Sequence, residues 1–157
     1  MPQKHRMLFP SAVHVLMIKD QHVLLLRREN TGYMDGAYSV PAGHLDGGET
    51  VHAAAIREVQ EEVGVDLDPA RLTIVHVMHR RSDQERIDWF LTADLWAGQV
   101  VNAEPQFCAE IRWFPFEGLP DDVIPYVRKG IHHVLQGMAF SSFGFDEDEE
   151  STSLSTL

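Results

Sequence analysis

Cysteine is nearly absent: Cys108 is the single one in 157 residues. No disulfide can close within the chain, which excludes a disulfide-stapled miniprotein and predicts a reducing, cytoplasmic setting. No apolar run approaches the roughly 18 residues of a membrane span, so no membrane role is expected. Met1-Pro2-Gln3-Lys4-His5-Arg6 is followed by neither a long apolar core nor a small-residue cleavage site, and no signal peptide is expected. Basic residues are few, 13 against 24 acidic, for a net charge of −11. Phosphate backbones need a basic face, so stable nucleic-acid binding is not expected. The histidines are dispersed rather than set at zinc-ligand spacing. What remains is 44% hydrophobic and 24% charged, the make-up of one globular domain.

The pattern along the chain divides it in three. Residues 1–9 read as a lead-in, 10–140 as the folded domain, and 141–157 as an acidic, disordered tail rich in Ser, Thr and Gly. Ser11 to Lys19 and His22 to Arg28 read as a hairpin around Asp20-Gln21. Residues 29–36 are loop-like, Tyr38-Ser39-Val40 is a short strand stopped by Pro41, and 42–49 reads as a tight irregular loop. Thr50 to Val63 is the clearest helix, with Thr50 as N-cap and Gly64 at the C′ position. Strands follow at 72–80, 86–96 and 109–114, and a last helix starts at Pro125. The order β-β-β-α-β-β-β-α predicts an α/β fold, a mixed sheet with helices packed on it.

The mid-chain helix carries the chemistry. Ala53, Ile56, Val59 and Val63 form an apolar stripe, and Glu58, Glu61 and Glu62 recur at i, i+3 and i+4 on another face. Like charges so placed destabilise a helix by a few tenths of a kcal/mol per pair, and a merely solvated face is the plain alternative. The loop before the helix, Gly43-His44-Leu45-Asp46-Gly47-Gly48-Glu49, weighs against it. That loop is glycine-rich yet acidic, and lacks the G-K-[ST] ending of a P-loop. An anionic ligand would be repelled unless divalent cations came first. Clustered hard oxygens suit Mg²⁺ or Mn²⁺, and the chemistry implied is metal-assisted attack of water on a phosphate.

From Gly43, the sequence runs five residues to Glu49, then seven to Arg57-Glu58-Val59-Gln60-Glu61-Glu62-Val63-Gly64-Val65. This resembles the Nudix box at every defined position. The early hairpin, Val40-Pro41-Ala42-Gly43, Trp113-Phe114 and Leu119-Pro120 are similar to the small MutT-like members, and the likeness spans about residues 10–137. The resemblance implies an α/β/α sandwich with a mixed β-sheet and Mg²⁺-dependent cleavage of a pyrophosphate link in a nucleoside diphosphate joined to another group. Residue by residue, it implies Glu58, Glu61 and Glu62 as metal-binding carboxylates, with the Ala42 carbonyl as a further ligand. Glu49 and Arg57 match the brace between loop and helix, Glu49 also reaching metal through water.

Members of the family often recruit one more acid from outside the box. Glu104 is the preferred candidate because its loop can swing toward the helix; Glu110 lies in a predicted strand and points outward. Arg27, Arg28, Tyr33 and Phe90 are candidates for the phosphates and the base, with Trp89 a further aromatic, each with a structural role as the alternative. Cys108 reads as buried filler. The expected substrate is a small nucleotide, foremost a nucleoside triphosphate or its oxidised form, giving a nucleoside monophosphate and pyrophosphate. The alternatives are ADP-ribose or a nucleotide sugar, a non-catalytic nucleotide sensor, and an isomerase on the same scaffold. Monomer and homodimer are both compatible with the sequence.

Overall fold

The apolar run after Pro10 folds as a hairpin. In the computed structural model, which describes residues 4–145 and 151–153, Ser11–Lys19 (β1) and His22–Arg28 (β2) are antiparallel. Asp20 and Gln21 make the turn at φ 51° and 63°, the handedness that follows strand twist. Then come Tyr38–Ser39 (β3), Ala42–His44 (β4), the helix Val51–Val63 (α1) and Asp66–Leu67 (β5). Leu72–Arg81 (β6), Glu85–Ala93 (β7), Trp96–Ala97 (β8) and Cys108–Pro115 (β9) follow. The chain continues with the helix Pro125–Leu135 (α2), Met138–Phe143 (β10) and Ser151–Ser153 (β11).

β1 organises the sheet. It runs parallel to β7 from Ser11↔Ile87 to Met17↔Ala93, and its other edge takes β4 antiparallel. β6 pairs antiparallel with β7, and β10 parallel with β6. β2 lies between β3 and β9. Val13, Val15 and Met17 face the core under α1, while Leu16 faces the core under α2; all four are fully buried. Because β1 is covered on both faces, its sequence is a continuous apolar run rather than an alternation. The result is an α/β/α sandwich with a mixed sheet.

Four expectations need correction. Ala42–His44 is a strand, because β1 offers it a free edge. The strand expected over 86–96 ends at Ala93, and Trp96–Ala97 pairs instead with Asp66–Leu67. The apolar stripe of α1 is turned: Ala54, Ala55, Val59 and Val63 are buried and Ala53 is exposed, since the helix lies against β1, β4 and β5. Finally, residues 141–143 belong to the sheet rather than to a disordered tail. Gly137, at φ 69°, turns the chain back from α2. The Ser141 side chain is buried because its Oγ meets His76 Nε2 at 2.8 Å. Composition read that serine as solvent-seeking, but a partner 65 positions away satisfies it. Ser151–Ser153 adds antiparallel to β10; 146–150 and 154–157 lie outside the described residues.

Candidate active site

Capping fixes where α1 starts and stops. Thr50 Oγ1 accepts from the Ala53 N–H at 3.1 Å, and Gly64 closes the helix at φ 71°. The loop beyond β8 then caps the far end: the N–H groups of Val101 and Ala103 donate to the carbonyls of Val63 and Glu62 at 3.0 and 3.1 Å. Helix carbonyls left unpaired by geometry are thereby satisfied, and Glu104 is carried next to the helix.

Arg57 ties the glycine loop to α1. Its Nε and Nη2 donate to the two Glu49 oxygens at 3.1 and 2.7 Å, its Nη2 also to the His44 carbonyl at 3.1 Å, and its Nη1 to Glu58 at 2.7 Å. Glu49 in turn accepts from the Asp46 N–H at 2.7 Å. The hydrogen bonds to Glu49 and Glu58 raise Arg57 above its ordinary value, and those from Arg57 and Asp46 hold Glu49 below its own. The brace between loop and helix is therefore a bidentate ion pair.

Glu58 and Glu62 point at β4. A Cβ on Gly43 would overlap the Glu58 carboxylate, so only glycine fits there. Glu62 accepts from the Ala42 N–H at 3.0 Å. Burial lifts Glu58 above its ordinary value against the pull of Arg57, with Glu61 and Glu104 adding repulsion. Burial lifts Glu62 well above its own, and Glu58 and Glu104 contribute to that rise. Glu104 is raised by burial and then by Glu61. Four carboxylates thus share one electrostatic neighbourhood. Such a set of hard oxygens fits a divalent cation, whose charge would offset their mutual repulsion. As the side chains stand, no group of three His, Cys, Asp or Glu among the described residues is gathered closely enough to hold a metal ion; Arg57 occupies Glu58 instead.

Glu62, Glu104, Ala42 and Gly43 line a cavity of about 780 Å³, with Arg27, Arg28, Tyr33, His44, Arg86 and Phe107 elsewhere in its wall. Arg28 is held by the Tyr33 carbonyl at 2.7 Å and by Thr31 Oγ1 at 2.9 Å. Arg27 is engaged with Asp122, Tyr38, Glu110 and the Gly36 carbonyl. Tyr38 also donates to Glu110, so Glu110 belongs to this cluster and not to the box. Ile111 and Trp113 pack toward the α1-side core, as the strand alternation required.

Phe90 is not a site residue. It is fully buried and absent from the cavity wall, stacked on His14 at 4.9 Å, and its ring fills the space that Gly130 leaves in α2. Trp89 packs toward the α1-side core. The sequence reading missed His14, Arg80 and Tyr126, which line the same cavity, and Phe107, half exposed at its wall. A signal for His14 existed, one imidazole inside the apolar run Ala12-Val13-His14-Val15-Leu16.

The NUDIX domain family profile matches residues 8–134. An RNA pyrophosphohydrolase of Novosphingobium aromaticivorans is 26% identical over 144 residues, covering 78% of this chain and 88% of its own. The 8-oxo-dGTP diphosphatase of Escherichia coli K12 is 27% identical over 115 residues, covering 73% and 85%. Of a longer relative, a NAD-capped RNA hydrolase of Pseudomonas aeruginosa at 30% identity, the chain spans 43%. The crystal structure of a MutT NUDIX hydrolase from Burkholderia pseudomallei superposes with a TM-score of 0.74 at 22% identity, covering 80% of this chain and 98% of that one. With that match over most of its length and a complete box in the matching place, the chain belongs to the NUDIX domain family and is a Nudix hydrolase.

Proposed function

We propose that the chain hydrolyses the pyrophosphate link of a nucleoside triphosphate, giving a nucleoside monophosphate and pyrophosphate. The observation that carries this reading is the composition of one cavity wall: Glu62 of the box and Glu104 from outside it, with Arg28, Arg80 and Arg86 contributing to the same wall. In a chain of net charge −11, that grouping of arginines suits an anionic ligand, and about 780 Å³ suits a nucleotide. Relatives named for 8-oxo-dGTP and RNA pyrophosphate hydrolysis, matched over most of their length, support the reaction class.

Glu58, Glu61, Glu62 and the Ala42 carbonyl, backed by Glu49, are the oxygens that would hold Mg²⁺, or Mn²⁺ in its place. A divalent cation supplies charge neutralisation on the phosphate oxygens and a more acidic bound water. Arg57 keeps Glu49 and Glu58 in register. Arg28 and Arg86 orient the phosphates. Glu104, raised by burial and by Glu61, takes the proton of the attacking water. The test is a panel of nucleoside triphosphates, an oxidised purine triphosphate, ADP-ribose, nucleotide sugars and 5′-triphosphorylated RNA, each with Mg²⁺. Products are identified before and after chelation. Release of pyrophosphate from a triphosphate, abolished by chelation, is expected. Ribose 5-phosphate from ADP-ribose as the main product would move the substrate to that class, and no product from any member would refute the reading.

A further inference from the structure

Two large aromatic residues line the cavity with about half of their surface open to solvent, Tyr33 at 47% and Phe107 at 48% exposure. The other exposed apolar side chains, Met34, Leu95 and Val101 among them, are outside that wall. A single phenyl ring in water is ordinary on a protein surface. The setting of Phe107 is not, because it shares its wall with Glu62, Glu104 and Arg28.

Phe107 closes a turn that begins at Glu104. Its N–H donates to the Glu104 carbonyl at 2.9 Å, an i to i+3 bond that keeps the two α-carbons within about 7 Å. Its carbonyl accepts from the Glu29 N–H at 2.9 Å, and Asn30 Nδ2 donates to the Gln106 carbonyl at 3.3 Å. The turn is thereby tied to the loop after β2. That loop is itself braced, since Asp35 accepts from the N–H groups of Thr31 and Gly32, both at 3.0 Å. The Phe107 backbone is thus held on both sides with its N–H and carbonyl engaged, and what it leaves open is chiefly its ring. The two aromatics then differ. The Arg28 guanidinium lies 5.5 Å from the centre of the Tyr33 ring. Among the described residues, no ring or guanidinium is stacked on Phe107.

We infer that Phe107 is the platform on which the nucleobase stacks while the phosphates lie at Glu62 and Glu104. The proposal rests on the nucleotide reading above. One sugar separates base from phosphates in a nucleotide, and one turn separates Phe107 from Glu104, so the two spacings are of the same short order. Stacking uses the π-face, which every base has. The ring therefore selects nucleotides as a class from other organic polyphosphates, and discriminates weakly between bases.

Two measurements test it. The first is the NMR spectrum of the labelled Phe107 ring in the intact protein with Mg²⁺, titrated with the monophosphates of adenosine and cytidine and with ribose 5-phosphate. The nucleoside monophosphates are products in the reading above, so they bind without turnover. Base ring currents are expected to shift the Phe107 resonances upfield, and ribose 5-phosphate is expected to leave them in place. The second is kcat/KM for the two matching nucleoside triphosphates and for ribose 5-triphosphate. The wild type should favour the base-bearing substrates by about tenfold or more.

Phe107→Ala should lower that ratio by about tenfold. Phe107→Trp, which keeps an aromatic face, should retain it, and Phe107→Leu, apolar without one, should not. The ring is half exposed, so these variants are expected to fold, and a thermal melt checks that they do. Because the ratio compares substrates within one variant, a general loss of turnover does not move it. A wild type without preference, a ratio unchanged in Phe107→Ala or kept in full by Phe107→Leu, or ring resonances that ignore both nucleotides or move equally with ribose 5-phosphate, overturns the proposal. Should no triphosphate be hydrolysed, the hydrolase reading falls, while the ring resonances still decide the role of Phe107.

Discussion

Glu61 is the outermost of the three box carboxylates, with half of its side chain in solvent and Arg57 at 3.5 Å. Because it is not packed, Glu61→Gln is expected to leave the melting temperature unchanged or slightly higher, one like-charge contact having gone. Turnover at saturating Mg²⁺ should fall by at least about a hundredfold, since lost electrostatic stabilisation of a transition state is worth about 3–4 kcal/mol. Steady-state kinetics and a thermal melt decide the matter, and unchanged turnover would remove Glu61 from the metal set. Glu104→Gln should also slow turnover, whereas Glu110→Gln, altering a carboxylate tied to Tyr38 and Arg27, should slow it far less. If Glu110→Gln is the crippled variant, the base has been sought on the wrong side of β9.

Asp88 sets a limit on acid stability. Burial favours its neutral form, but the hydrogen bonds and charges of His14 and Arg80 prevail and hold it at about 2, below the ordinary 3.8. Its contribution, about 2 kcal/mol, is therefore complete above roughly pH 4 and is lost as pH falls toward 2. Asp88→Asn should flatten that acid limb in urea titrations at stepped pH; an unaltered limb would assign the loss to other carboxylates. The box acids could be placed on the helix from spacing alone. The fate of His14 could not, because Asp88 is 74 residues away and only folding brings the two together.

Among the elements, α2 depends on a glycine. Gly130 sits mid-helix, where alanine normally stabilises by about 1 kcal/mol. A Cβ there would enter the Phe90 ring. Overpacking costs about 1–3 kcal/mol, so Gly130→Ala should lower stability in a denaturant melt, not raise it. The opposite sign would mean that the ring can move aside. Gly43 presents the same geometry toward Glu58, with the penalty falling on the site. The boundaries of α1 were legible because its caps are local, Thr50 and Gly64. Which of its faces would be buried was only partly legible, because the strands β4 and β5 against it are too short to leave a pattern.

For the whole molecule, composition misled at residues 141–143, which complete β10 instead of opening a tail. Removing residues 146–157 takes away Ser151–Ser153 and bares the edge of β10. The site lies elsewhere, so turnover should not change, but the amides of β10 should exchange faster and the protein should aggregate more readily through the exposed edge. Hydrogen exchange on the truncated chain checks this, and unaltered protection of β10 would count against the pairing.

The sequence by itself determined what is written in short-range order: the hairpin, the capped helix and the spacing of the box acids. These depend on turn chemistry and helical periodicity, which act over a few residues. Tertiary structure alone decided the rest. It put Glu104 beside α1 by capping the helix carbonyls from a distant loop. It withdrew Phe90 into the core behind Gly130, and joined His14 and Arg80 of the cavity wall through the buried Asp88, from three strands. Contacts across such separations depend on which strands become neighbours, and no local pattern carries that information.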